Sequence, residues 1–362
     1  MSVVVMGVGY CGAFPTSGGL SYRELIRRAA TMAYQDAGIR PEEIDAAISV
    51  EEDFCSGYSI ADEYTPDQLG MVLKPMYTVP GDFLHGICSG AMQLRTGQFK
   101  TVVVESYSKA SNVLTKDELV HFAYDPVFNR YGASPHYLAG IEMRSFLDRH
   151  CLNEEQVAAL AAENRTRALG NPLAPFGARL DARDVLRSRP IASPVTELMI
   201  ARPADAAIVA VLGIGEEAEQ RSRFPIRLAG TGWCSGTSII ERRDHALSEG
   251  TSLAARMALE EARIGIEQAD VVYVSDVYPH RQLMHQEALG LPKAILPHVN
   301  PDGGAQGTGE LFEATSGPRF FDAVRQLREE AGAHQVPDAE IAVVQGWRGV
   351  PTDSCAVVVL SN

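Results

Sequence analysis

The sequence has no run approaching the roughly 20 apolar residues that a membrane helix needs. It also has no cluster of Lys and Arg and no Cys-x-x-Cys pair. Basic residues number 32 against 46 acidic ones, a formal net charge of −14. Such a chain is a poor match for a nucleic-acid backbone or an anionic membrane, so neither is expected as its main partner. An anionic ligand in a locally basic pocket stays compatible with that balance. The six cysteines, Cys11, Cys55, Cys88, Cys151, Cys234 and Cys355, are scattered. That spacing suggests neither a zinc site nor a disulfide framework, so no metal is expected and a reducing cytoplasm fits. Met1 to Gly9 lacks a basic leader and a small-residue cleavage site, and reads as a strand rather than a signal peptide. No Gly-Lys-Ser/Thr phosphate loop occurs, and no G-x-G-x-x-G follows a strand in a dinucleotide frame, so no separate cofactor is expected. What remains is an ordinary globular make-up, 362 residues with 46% hydrophobic and 22% charged, long enough for two or three packed units.

The most informative positive feature is an internal echo. Val5-Met-Gly-Val-Gly9 is a short strand running into a Gly turn. An amphipathic helix over Tyr22–Ala37 follows, then a turn ending at Asp45 and the apolar strand Ala46–Val50. Leu228-Ala-Gly-Thr-Gly232 opens the same order again, with a helix over Ser252–Arg263, a turn ending at Asp270 and a strand from Val271 to Val274. The helices superpose without a gap. Ala29, Met32, Ala33 and Ala37 meet Ala254, Met257, Ala258 and Ala262. Helix faces made of small residues imply close packing, so two β-α-β halves with central helices between two sheets are expected. The halves divide as residues 1–222 and 223–362. Residues 112–203, rich in proline among helical segments, look like an inserted cap over the first half.

Chemistry can sit in a few places. Cys88, in Leu84-His-Gly-Ile-Cys-Ser-Gly-Ala-Met-Gln93, reads as a thiol at a helix start, where unpaired amides favour thiolate. The bland alternative is a small core residue. The loop Asn300–Glu310 carries Gly303 and Gly304, which permit close approach to a ligand or simply form a tight turn. In Ser275-Asp-Val-Tyr278, Asp276 can cap a helix and Tyr278 can donate into a pocket. His136, in the cap, can reach the same place or be merely solvated.

Together these segments resemble the thiolase superfamily, in particular its sterol-carrier-protein-type thiolases and thiolase-like steroid side-chain aldolases. The resemblance rests on Ile87-Cys-Ser-Gly-Ala-Met-Gln93, Pro203-Ala-Asp-Ala-Ala-Ile-Val209, Val274-Ser-Asp-Val-Tyr278 with Gln286-Glu-Ala-Leu-Gly290, and Val299-Asn-Pro-Asp-Gly-Gly304. It implies a five-layer αβαβα fold, a homodimer and acyl-CoA substrates, with coenzyme A arriving as part of the substrate. It also implies a Cys nucleophile at Cys88. Two family histidines are replaced, one by Ser275 and one by Glu310. Gly349-Val-Pro-Thr352 resembles the ending of the aldolases, and marks Gly349 as a ligand-facing glycine.

Three readings stay open. The first is an enzyme that makes or breaks a carbon–carbon bond in an acyl-CoA by acyl transfer through Cys88. The second is a retro-aldol lyase acting on a β-hydroxyacyl-CoA, with Glu310 or Tyr278 as base. The third is a non-catalytic subunit of an acyl-CoA-processing complex, in line with relatives that pair with a small OB-fold, zinc-ribbon protein.

Overall fold

The computed structural model describes residues 2–52, 61–112, 134–349 and 353–362. The readings that touch Cys55, Pro126 and Val350–Thr352 lie outside those residues. The first half runs β1 (Val3–Phe14), α1 (Tyr22–Ala37), β2 (Ala46–Val50), α2 (Pro66–Leu69), β3 (Met76–Val79), α3 (Phe83–Arg95) and β4 (Thr101–Lys109). Then come α4 (Pro135–His150), α5 (Glu154–Arg167), α6 (Ala182–Arg187) and a hairpin of β5 (Pro190–Ala192) with β6 (Val195–Thr196). Strand β7 (Asp205–Ile214) returns to the sheet and α7 (Glu216–Arg221) follows it. The second half runs β8 (Ile226–Cys234), α8 (Glu249–Ala262), β9 (Val271–Tyr273), α9 (Pro279–Leu289), α10 (Gly304–Thr308), α11 (Gly317–Leu327), β10 (Ile341–Trp347) and β11 (Cys355–Ser361).

Hydrogen bonding orders the strands β3-β2-β4-β7-β1-β8-β11-β10-β9. Read outward from the middle, β1-β7-β4-β2 and β8-β11-β10-β9 are the same arrangement twice. Among the described residues the two half-sheets join where Val3–Val5 pair with Ile226–Leu228. Beyond that joint they enclose α3 and α11. One apolar cluster unites Phe83 and Ile87 of α3, Phe320 and Val324 of α11, Val104 and Ile208 of the first half-sheet, and Val344 and Val358 of the second. Helix α1 covers the outer face of the first half-sheet through Ala29 and Ala33, and α8 covers that of the second through Ala254 and Ala258. The order of layers is therefore α-β-α-β-α. Strands covered on both faces need unbroken apolar runs, and Ala206–Leu212 is buried throughout.

The repeat seen in the sequence has a structural cause. A Cβ on Gly9 would lie 2.0 Å from the Ala29 carbonyl oxygen, 2.5 Å from the Ala33 nitrogen and 2.9 Å from the Met32 Cβ. A Cβ on Gly232 would meet Ala254, Ala258 and Met257 at 2.0, 2.9 and 2.8 Å. The partners are equivalent residues of the two halves. Asp45 accepts the backbone N–H groups of Lys100 and Thr101, and Asp270 those of Glu340 and Ile341. Each aspartate thus pins the start of its own strand to the start of the neighbouring one. At the N-terminus of α1, Ser21 and Glu24 form a reciprocal capping box, and Gly38 ends the helix with a left-handed φ of 64°.

The cap differs from expectation in one respect. Its helices pack on the second half, while among the described residues only the loop around Leu173 and Phe176 reaches the first. Leu138, Met143, Val157 and Ala158 share an apolar cluster with Val277, Leu289 and Ala305. The apolar faces of α4 and α5 meet those of α9 and α10.

Candidate functional site

Helix α3 opens earlier than the sequence suggests. Asp82 is its N-cap, and the carboxylate accepts the Leu84 N–H at 3.3 Å. Cys88 therefore lies five residues inside the helix that begins at Phe83, not at its start. Its residue surface is 1% exposed, and its nearest polar contact is the Gly232 carbonyl at 4.0 Å. Burial, with a smaller contribution from the Glu261 charge, pushes the thiol up to about 12. The unpaired amides that would favour a thiolate lie a turn and more away, so the expected activation does not reach this sulfur.

Asp82 occupies the place where that activation is available. Its second oxygen accepts the Ser316 N–H at 3.0 Å, and it also takes the Ser316 hydroxyl. Ser316 is the N-cap residue of α11. The two central helices thus direct their positive ends at one buried carboxylate. Gly346 passes so close that a Cβ there would stand 2.3 Å from Asp82 Oδ1. His85 Nδ1 lies 3.1 Å from the Asp82 nitrogen and 3.2 Å from the Asp82 carbonyl oxygen. The His85 Nε2 has no hydrogen-bond partner among the described residues, and burial holds the imidazole below its ordinary value. Arg348 completes the cluster by donating to Glu313 at 3.0 Å and to Glu52.

A second cluster forms beyond the end of β10. Side chains alternate along a strand. Gly346 faces Asp82 and Arg348 faces Glu52 and Glu313, while Gln345 and Trp347 face α8 and α9. On that side Tyr278, fully buried, shares a 2.9 Å hydrogen bond with His136 Nδ1. His136 is half-buried. The His280 ring lies 5.6 Å from that of Tyr278, centroid to centroid. Behind them Arg281 donates from Nε to Glu142 at 2.8 Å and stacks 4.1 Å over the Trp347 ring. Burial opposes ionisation of Glu142, but Arg281 and His280 outweigh it and hold the carboxyl at about 2. Tyr278 and His136, two candidates distant in sequence, are therefore brought together; Cys88 is not part of their cluster.

Residues 292–362 match the family model described as thiolase C-terminal domain-like. The chain is 26% identical to an acetyl-CoA acetyltransferase of Methanothermobacter thermautotrophicus, over 91% of this chain and 92% of that one. Its backbone matches an Ltp2-ChsH2(DUF35) aldolase with a TM-score of 0.85 and 19% identity, covering 99% of this chain and 97% of that one. It matches a monomeric SCP2-thiolase like protein type 1 from Mycobacterium smegmatis at 0.80 and 18%, covering 99% and 77%. The chain is related to thiolases and has their fold.

Within the thiolase fold, the remaining candidates take these places. Ser275 donates its N–H to Gln345 Oε1 at 2.8 Å, and its hydroxyl is buried with no partner among the described residues. Asp276 caps α10 rather than the helix that follows it, accepting the N–H groups of Ala305 and Gln306. Gly304 lies against that carboxylate and Gly303 against Ala168; a Cβ on either would clash at 2.4 and 2.6 Å. Both have positive φ, so they serve the turn by packing on protein atoms. Glu310 is buried and held by its backbone, its N–H donating to Arg202 and its carbonyl accepting from Ala204. Gly349, with φ of 84°, turns the chain beside the Trp347 ring.

Sequence reasoning missed Asp82, His85, Ser316 and Arg348. For Asp82 a signal existed: it stands just before an apolar helical run, as an N-cap does. Nothing local marks Ser316 or Arg348, because their partners are 234 and 35 residues away. Among the described residues no group of three or more metal-ligating side chains is gathered, and no helix is long and apolar enough to cross a membrane.

Proposed function

We propose that the protein breaks or makes a carbon–carbon bond in an acyl-CoA by acid–base chemistry of the retro-aldol type, without an acyl-enzyme on Cys88. The single observation that carries this reading is the enclosure of the Cys88 sulfur inside α3, set beside a tyrosine–histidine pair at hydrogen-bond distance. Acyl transfer needs a thiolate, and Cys88 lies away from the amides that would ionise it and is held as the thiol. Tyr278 is as enclosed as Cys88, but its hydroxyl is hydrogen-bonded to half-buried His136, which gives it a proton route. Retro-aldol cleavage needs only a base for the β-hydroxyl proton and an acid for the carbanion left behind. In the proposed step, the Tyr278–His136 pair takes the β-hydroxyl proton and the bond between the α and β carbons breaks. A carbonyl forms on the leaving fragment, the electron pair passes to the α carbon as an enolate, and a proton returned to that carbon completes the balance. Glu310, in the position of a family histidine, is the alternative base.

The substrate class is a β-hydroxyacyl-CoA. Homodimer formation and a small OB-fold, zinc-ribbon partner belong to the same reading, as does a cytoplasmic location. The test is to incubate the purified chain with β-hydroxyacyl-CoA thioesters and follow the shortened acyl-CoA and the released carbonyl compound. Tyr278→Phe is expected to lower kcat by about 10²-fold or more, while Cys88→Ala keeps it. Turnover that survives Tyr278→Phe and vanishes in Cys88→Ala overturns the reading in favour of acyl transfer. Absence of turnover in the homodimer and in the complex with its partner leaves the non-catalytic subunit.

A further inference from the structure

A groove of about 780 Å³ runs along the exposed side of α1, on the outer face of the first half-sheet. Its body is apolar, built from Ala13 and Phe14 at the end of β1, Met32 of α1 and Leu173. Arg27 and Arg28 flank it. The volume lies in the range of small-molecule sites, which are about 300–1,000 Å³. No carboxylate among the described residues forms an ion pair with Arg27; Glu24, which also lines the groove, is committed to the Ser21 cap and feels the Arg28 charge. Two arginines beside an apolar trough stand out on a chain of net charge −14.

The internal repeat supplies a control. Helix α8 packs on its half-sheet as α1 does, through the same Gly and Ala contacts. At the positions of Arg27 and Arg28 it carries Ser252 and Leu253. The scaffold therefore folds without arginine there; Arg28 reaches Cys11 and the Glu24 charge within the chain, and Arg27 is the one of the pair that no carboxylate of the described residues engages.

We propose that this groove binds a single-chain aliphatic carboxylate, its hydrocarbon tail along Phe14, Met32 and Leu173 and its head held by Arg27 and Arg28. Guanidinium groups suit carboxylate by shape as well as charge. The site is separate from the candidate reaction centre. Asp82 lies on the inner side of the first half-sheet and Tyr278 in the second half, so the proposal does not rest on the retro-aldol reading.

The test is calorimetric titration of the full chain with dodecanoate and with dodecanol. Dodecanoate is expected to bind at least tenfold more tightly than dodecanol. The double variant Arg27→Ser with Arg28→Leu, which installs residues that α8 already carries, is expected to weaken dodecanoate at least tenfold with an unchanged thermal transition. Met32→Trp, which fills the trough, is expected to weaken both ligands. Failure of dodecanoate to bind the unmodified chain, or equal binding by the double variant, overturns the proposal.

Discussion

A thiol held at about 12 is almost entirely protonated at pH 8. The ionised fraction is about 10⁻⁴, against about one quarter for an unperturbed thiol near 8.5. Alkylation proceeds through the thiolate. Cys88 is therefore expected to react with iodoacetamide at least about 10³-fold more slowly than an unperturbed thiol, and enclosure in the core slows it further. The assay is timed labelling at pH 8, quenching, digestion and quantification of the modified peptides by mass spectrometry, with exposed Cys151 as the internal reference. Adding denaturant should bring Cys88 into line with Cys151. Rapid labelling of Cys88 in the folded chain would refute both the burial argument and the exclusion of this residue from the chemistry.

Further outcomes follow from other residues. Glu142, held at about 2 in the folded chain against about 4.3 unfolded, contributes stability that is fully present above pH ~4.3 and is lost as pH falls towards 2. The difference corresponds to roughly 3 kcal/mol, so thermal melts across that window should lose stability in the parent and much less in Glu142→Gln. Glu105 behaves oppositely: burial raises it to about 8, so the folded state binds its proton more tightly and stability declines from pH ~4.3 up to 8. Glu105→Gln should accordingly stabilise the chain at pH 8 and have little effect at pH 4, as read by Tm. Gly9→Ala and Gly232→Ala should each destabilise by about 1–3 kcal/mol or more, since both force a Cβ against a helix carbonyl. Denaturant titration that found either one neutral would contradict the account of the repeat.

The fold was legible because its scaffold is duplicated and its repeats are local. Gly9 with Ala29 and Gly232 with Ala254 place the same close contact in both halves, and Asp45 and Asp270 mark the same junction. Such features survive in a linear string since glycine and alanine spacing is dictated by one helix on one strand. The candidate site is built differently. Asp82 meets Ser316, Glu142 meets Arg281, and Tyr278 meets His136 only once the chain has closed on itself. Cys88 drew attention through its Ser-Gly neighbours, yet those small residues serve packing: a Cβ on Gly90 would press on Leu212 and Val104 of the first half-sheet. Tyr278 and His136 were both visible as residue types, but the 2.9 Å bond between them was not, because 142 residues separate them.

The most direct examination of the central claim is intact-protein mass spectrometry of the chain during turnover with a panel of β-hydroxyacyl- and β-ketoacyl-CoA thioesters. Acid–base cleavage predicts the unmodified mass at every time point while products accumulate. An added acyl mass that maps to Cys88 would contradict it.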